Sequence, residues 1–575
     1  MPKALRAVAI AAVPALILSA CANNDKKDDA KPSAGTKQAT ITFAWEQEFQ
    51  SYNNNTAAQN ATANAVVLNQ VLRGFWYYDN EGQIIPDKEF GSYEKLSDNP
   101  LKIKYTFSDK AVWSDGNPID CDDAVLAWVA NSAQYKTGKK DDEGNDILVF
   151  STAGSTGYDL QQVPECNDGD KTFTVTFNSV FADWQGLYGA TAIMPAHIVE
   201  SKSGVSDIIA AVKNKDEAAL SKAGTFYNDG WVFKKGEFLK DISPSAGPYM
   251  IDSWQGGQSV TLAVNPKWWG TPPKVAKVVI RTITQDQQAL ALQNGEIDAM
   301  DPQPNPELLQ QLQSIGSSVQ VKGYDQYTWE HFDFNFRKGN PFTDRDLREA
   351  FTKCLPRQRI VDNLIKPQNP NAKILQSRYF LPFQAEYPDV APAIIDSKYD
   401  AVDIPGAKAI LDRKGKAGLT VRVGYKTPNP RRTSEVELLR DSCGQAGFKI
   451  VDAGTADFFG NGLANGNFDV ALYAWSGSPL ISGSSSTYVT NGGNNNGKYS
   501  NPQVDTLTAQ LNGELDRAKQ VDLIKQIEKI LWDDLATVPV FAFPAVAAWN
   551  SKVEKVIPNA SQSGLTWNMQ EWNKS

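Results

Sequence analysis

Histidine is nearly absent: the 575-residue chain carries two, His197 and His331, far apart in sequence. A histidine-based metal set or general base has little to work with, and no H-E-x-x-H, G-x-S-x-G or P-loop pattern occurs. Carboxylates are plentiful, but nothing singles out the pair that glycoside cleavage needs. The chain is therefore expected not to be an enzyme and to carry no cofactor or metal. His197 reads as a structural residue at a domain crossing, and His331 as a polar group at a strand edge. A surplus of positive charge is missing too. The net charge of -9 and pI near 5.1 argue against a nucleic-acid surface. Arg431-Arg432, lying between Pro430 and Glu435, reads as part of a solvated face.

Long apolar runs are also scarce. The one near the start, Ala7 to Leu18, follows Lys3 and Arg6 and is too short to span a bilayer. A basic start, a short apolar middle and small residues before a cut site read as an export signal over residues 1–20. Its end, Leu18-Ser19-Ala20-Cys21, resembles the bacterial lipobox, which implies cleavage before Cys21 and a diacylglycerol on its thiol. Residues 21–39, charged and rich in Asn, Lys and Asp, cannot bury enough apolar surface to fold and read as a tether. The expected location is extracytoplasmic, with membrane attachment through the lipid alone. Beyond Cys21 the cysteines are Cys121, Cys166, Cys354 and Cys443, with no C-x-x-C pair to suggest zinc.

What is present is a mixture of strand and helix signals. Ala39–Trp45, Leu101–Phe107, Thr172–Phe177, Ser259–Val264, Val275–Thr282, Leu419–Tyr425 and Val470–Trp475 are rich in β-branched and aromatic residues and predict strands. Between them, Asp286–Asn294 predicts a helix ending at Gly295. Thr343, with Asp346 in the first turn, predicts an N-cap for a helix through Phe351. Val521, Ile524, Ile527 and Leu531 form one apolar stripe. The pattern indicates α/β packing.

Five segments in order resemble the large extracytoplasmic solute-binding proteins of peptide and nickel ABC importers. They are Trp113 to Pro118 with Asp122 to Val125, Gly247-Pro248-Tyr249 through Trp254, Gly257, Asn265-Pro266 and Trp268 to Gly270, Gly295 to Asp298, Asn335 with Pro341-Phe342, Asp344 and Leu347 to Ala350, and Tyr499 with Asn501-Pro502 and Val504-Asp505. Most of these residues read as turn and packing positions, so they identify the family rather than the pocket. The resemblance implies a two-lobed periplasmic-binding-protein fold of the large peptide-binding type. Lobe I would hold 40–85, 197–325 and 536–575, an extra inserted domain 86–196, and lobe II 326–535. Four cysteines allow three pairings, or free buried thiols. Cys121 with Cys166 and Cys354 with Cys443 keep each pair within one such domain.

The resemblance further implies a monomer that binds an oligopeptide or other small solute in the interlobe cleft and delivers it to ABC permease subunits with their ATPases. The same fold serves glycan, lipid-linked-sugar or metallophore binders, and occluded regulatory members. Two loops combine flat apolar walls with polar groups as solute pockets do. The first contains Trp45, Glu46, Tyr52 and Asn53; the second runs from Trp475, Ser476, Gly477 and Ser478 to Tyr488 and on through Asn491 to Asn496. Asn335 is a further candidate, although Phe332, Phe334 and Phe336 alternate as the buried face of a strand would. Peptide-binding members carry an Asp near the place of Ser478 that pairs with the ligand's α-ammonium, and here no acid lies between Asp469 and Asp505. Either Glu46 or another acid substitutes, or the ligand has no free amino terminus.

Overall fold

A computed structural model describes residues 36–141, 144–234 and 236–575. The expected signal, Cys21 and most of the tether lie outside the described residues. The chain is mixed α/β and organised around a ten-stranded sheet. We number its strands β1 (Lys37–Trp45), β2 (Tyr249–Gln255), β3 (Ser259–Val264), β4 (Val275–Thr282), β5 (Ala299–Met300), β6 (Val319–Phe334), β7 (Thr420–Gly424), β8 (Lys449–Asp452), β9 (Val470–Ser476) and β10 (Thr537–Asn550). Their order across the sheet is β8-β7-β9-β6-β10-β5-β1-β4-β3-β2. Strand β1 begins at Lys37, inside the stretch read as tether, because Lys37 pairs with Val275 and Thr36 Oγ1 donates to Pro273 O at 2.7 Å.

The sheet joins two main hydrophobic cores. Ile41 and Phe43 of β1 and Val278 and Ile280 of β4 pack in the first, whereas Phe332 and Phe334 of β6, Val421 and Val423 of β7, and Val470 and Leu472 of β9 pack in the second. The long antiparallel pair β6–β10 runs between them, from Val319 opposite Asn550 to Asp333 opposite Thr537. Its ladder shifts register between Asp325 and Trp329 and between Glu330 and His331. Such irregularities bend a strand and re-aim its side chains. The segment 86–196 adds a separate three-stranded sheet, Gly91–Asp98, Leu101–Phe107 and Thr172–Thr176. In its middle strand Leu101, Ile103, Tyr105 and Phe107 alternate inward, and they join the first core.

Disulfides link Cys121 to Cys166 and Cys354 to Cys443. Three expectations need correction. The helix Arg345–Cys354 is capped by Asp344, whose carboxylate accepts from Asp346 N at 2.9 Å. Thr343 instead closes the preceding turn by donating to Asn340 O. His331 is fully buried in β6, between β9 and β10, and is no edge residue. Arg431 and Arg432 are buried as well: they open the helix Pro430–Ala446 and grip Glu330 from the neighbouring strand. A carboxylate within reach compensates the burial of both guanidinium groups, which the local sequence does not reveal. Among the described residues no helix is long and apolar enough to cross a membrane.

Candidate functional site

A cavity of about 640 Å³ lies between the two cores. Around it the halves touch: Asp183 Oδ2 accepts from Ser482 N and Oγ, both at 2.7 Å, and Asn60 Nδ2 donates to Asn494 Oδ1 at 3.1 Å. On the first-core side the chain leaves β1 at Trp45 and enters the wall with Glu46, Asn54 and Asn55; Asp301 and Gln303 follow the short β5. Opposite, the wall is formed by Tyr327 and Trp329 of β6 and by Tyr473 and Trp475 of β9, continuing through Ser476, Gly477 and Ser478 to Tyr488.

The β9 exit is fixed by backbone proximity. Gly477 N donates to Tyr327 O at 2.8 Å, and a Cβ at Gly477 would approach that oxygen to 2.7 Å, so a side chain there would push the loop away from β6. Trp475 lies parallel to the His331 ring at 6.1 Å and edge-on to Tyr473 at 5.2 Å, which orients its plane. The indole N–H groups of Trp45 and Trp475 and the Tyr488 hydroxyl are closed off from solvent without a protein partner.

Two acids of the wall, Glu46 and Asp301, have unusual surroundings. Glu46 Oε1 accepts from Gln303 Nε2 at 2.7 Å, while Oε2 is enclosed and has no partner. Burial raises the Glu46 carboxyl above its ordinary range, against the hydrogen bond from Gln303 and the charge of Arg432. Asp301 Oδ1 accepts from Tyr324 Oη at 2.7 Å; burial, with the charge of Glu46 adding to it, pushes the Asp301 carboxyl up to about 7. Behind them, Glu330 receives Arg431 Nη2 at 2.9 Å and Arg432 Nε at 2.7 Å, and Arg431 also pairs with Glu435. Burial pushes the Glu330 carboxyl up, but the charges of Arg431 and Arg432 outweigh it and hold it below the usual value. Burial takes the Glu435 carboxyl to about 8 despite Arg431.

Of the residues expected at the site, Trp45, Glu46, Trp475, Ser476, Gly477, Ser478 and Tyr488 line the cavity together. Tyr52, Asn53 and Asn335 do not. Tyr52 is fully buried, with its hydroxyl on Pro244 O and its ring against Trp231. Asn53 Nδ2 donates to Tyr227 O at 2.8 Å, and its Oδ1 holds Asn55 N at 3.0 Å. Asn335 Nδ2 donates to Phe468 O at 2.8 Å and Gly466 O at 3.1 Å. All three satisfy buried backbone groups, a duty that takes precedence wherever a loop turns under a core. Asp301, Gln303 and Trp329 were not anticipated. The Pro-interrupted polar run Asp301-Pro302-Gln303-Pro304, directly after a strand, was the available signal, since ligands favour the carboxyl ends of strands in α/β sheets. Among the described residues Asp120, Asp122 and Asp168 bring three carboxylates within 4.8 Å, but none lines the cavity, and Asp120 caps the helix Cys121–Asn131.

Comparison with known proteins agrees with this architecture. The profile of the bacterial extracellular solute-binding proteins, family 5, matches residues 90–498. An uncharacterized lipoprotein of Mycobacterium tuberculosis is 29% identical over 560 residues, covering 94% of each chain. The oligopeptide-binding protein OppA of the same organism is 24% identical over 518 residues, covering 88% of this chain and 79% of its own. The solved structure of the periplasmic EDTA-binding protein EppA superposes with a TM-score of 0.76 at 23% identity, over 95% of this chain and 98% of that one. With a matched profile spanning most of its length and the two-lobed fold around a central cavity, the chain belongs to the bacterial extracellular solute-binding proteins of family 5.

Proposed function

We propose that the protein captures short peptides outside the cytoplasmic membrane and hands them to an ABC permease whose ATPases drive uptake. The observation that carries this reading is the cavity wall. Aromatic side chains of Trp45, Trp329 and Trp475 share it with the amides and hydroxyls of Asn54, Asn55, Gln303 and Ser476. That mixture suits a ligand with repeating amides and varied side chains. The OppA relative of Mycobacterium tuberculosis, an oligopeptide-binding protein by name, supports the same substrate class. EppA binds EDTA by name, but a polyanionic chelate or metallophore would meet Glu46 and Asp301 here, while the wall cations Arg73, Arg378 and Arg432 are paired with Asp87, Glu528 and Glu330. A glycan would stack on the aromatic planes and donate hydroxyls to the two acids, but it would bring no positive charge to offset them. A cavity of about 640 Å³ also speaks against an occluded regulatory member.

In this reading Trp45, Glu46, Trp475, Ser476, Gly477, Ser478 and Tyr488 contact the ligand, and a bridging ligand shifts the population of lobe arrangements towards the closed one. The protein acts as a monomer, attached to the membrane by lipid on Cys21. Native mass spectrometry of protein purified without refolding tests the substrate class: a ladder of peptide masses is expected, and a single sugar-containing mass would overturn it. Cys21→Ser is expected to leave binding intact and move the protein to the soluble fraction; a variant retained on membranes after high-salt washing would remove the anchor.

A further inference from the structure

The wall contains a carboxyl group short of hydrogen-bond donors. Gln303 connects Glu46 to the buried cluster behind it, because its Oε1 accepts from Arg431 Nη2 at 3.2 Å while its Nε2 serves Glu46. Four carboxyl groups, those of Glu46, Asp301, Glu330 and Glu435, lie in or behind the wall, with Arg431 and Arg432 as the neighbouring cationic donors. Both guanidinium groups are committed to Glu330 and Glu435, neither of which lines the cavity. The other two, Glu46 and Asp301, line the cavity, where the remaining acids Asp87 and Asp183 are held by Arg73 and Ser482. Of their oxygens, Glu46 Oε2 is shut off from solvent and has no hydrogen-bond donor. An enclosed carboxylate oxygen without a donor is costly, and a donor carrying positive charge removes that cost most effectively.

We infer that Glu46, flanked by Asp301, seats a primary ammonium group carried by the ligand. The amine places one N–H on Glu46 Oε2 and lies within the field of Asp301. Two sources present this chemistry in a peptide, the α-ammonium and a lysine-type side chain. The geometry selects the group, and the experiment selects its origin. The inference rests on the peptide reading only for what carries the amine. A site in the first-core wall also accounts for a second loop that carries no acid from Trp475 to Tyr488.

The test is calorimetric titration of the full-length protein with pentaalanine, N-acetyl-pentaalanine, an N-acetylated pentapeptide with one central lysine, and cadaverine. Glu46→Gln keeps the size and the Gln303 contact but loses the charge; Asp301→Asn is the second variant, and thermal unfolding checks that both fold. Acetylation of pentaalanine is expected to weaken binding by about tenfold or more, the scale of a lost charge-assisted bond. Glu46→Gln should weaken the free-amine peptide equally and leave the acetylated one within about twofold. Recovery of affinity with the lysine-containing probe shows that the seat takes side-chain amines as well, no recovery confines it to the α-ammonium, and a gain from lysine without any effect of acetylation assigns it to side-chain amines alone. If no peptide binds but cadaverine does, and Glu46→Gln abolishes that, the peptide reading falls and the ammonium seat stands. Equal affinity for pentaalanine and for both acetylated peptides, unchanged binding in a folded Glu46→Gln protein, or no binding by any of the four probes overturns the inference.

Discussion

Gln303 Nε2 donates to Glu46 Oε1 at 2.7 Å, and the Gln303 Oε1 accepts from Asn429 Nδ2 at 3.1 Å. Asn429 caps the helix Pro430–Ala446, which packs in the second core, while Glu46 follows a strand of the first. One amide thus ties a cavity acid to the opposite half of the molecule. Gln303→Ala removes this tie and leaves Glu46 Oε1, like Oε2, without a side-chain donor. Peptide affinity is expected to fall about fivefold to tenfold, the scale of one hydrogen bond to a charged group. The loss should appear in calorimetry, with a decrease of a few degrees in thermal midpoint.

Asp301 gives the site a pH dependence of defined sign. Its folded-state carboxyl sits at about 7, raised by burial and by Glu46, whereas the unfolded chain has the ordinary value of 3.8. Between those values the native state holds a proton that the unfolded state releases, so the contribution of Asp301 to stability falls as pH rises towards 7. The groups facing it are Glu46 and the Tyr324 hydroxyl, with Arg432 acting on Glu46. Asp301→Asn is expected to flatten the decline in thermal midpoint between pH 5 and about 8. In the wild type, affinity for a cationic ligand should rise over the same interval as the carboxylate ionises. Parallel midpoint profiles for wild type and Asp301→Asn would remove Asp301 as the source.

The strand pattern and the first two cavity segments were legible because they depend on neighbours in sequence. Val470 to Trp475 is a short apolar run with β-branched and aromatic residues that breaks at Gly477, which announces a strand followed by a loop carrying an aromatic at its mouth. Trp45-Glu46 follows the opening strand in the same way. Tyr52 and Asn53 were not separable from them by composition, since their partners, Pro244 and Tyr227, lie 192 and 174 residues away. The burial of Arg431 and Arg432 was hidden for the same reason: Glu330, which compensates them, is 101 and 102 residues distant. Polar residues show where a chain meets water or a ligand only after long-range pairing has claimed its share.

Glu330 and Glu435 provide a contrast within one buried cluster. Glu330 is ionised by virtue of Arg431 and Arg432, so Glu330→Ala leaves two guanidinium groups without their main counter-charge. A loss of about 3–5 kcal/mol is expected in denaturant unfolding at pH 7. Glu435 has its carboxyl at about 8 and is largely protonated at that pH. Glu435→Gln, which mimics the protonated form, should cost under about 1 kcal/mol. Equal losses for the two variants would show that both carboxyls carry charge in the native state.

Trp475 brings a plane to the cavity and an N–H that has no protein partner, and two substitutions separate their contributions. The indole lies parallel to His331 at 6.1 Å, contacts Tyr473, and turns its remaining surface to the cavity, with Nε1 enclosed and without a protein partner. Trp475→Ala removes both features, and peptide affinity is expected to fall about tenfold to a hundredfold, as for a truncated aromatic anchor. The residue is only partly buried, so the variant should stay folded with a stability loss below the roughly 3–5 kcal/mol of a fully buried tryptophan. Trp475→Phe keeps the plane and discards the N–H. If stacking dominates, it should retain affinity within about fivefold of wild type; a loss as large as that of Trp475→Ala would assign the contact to the hydrogen bond.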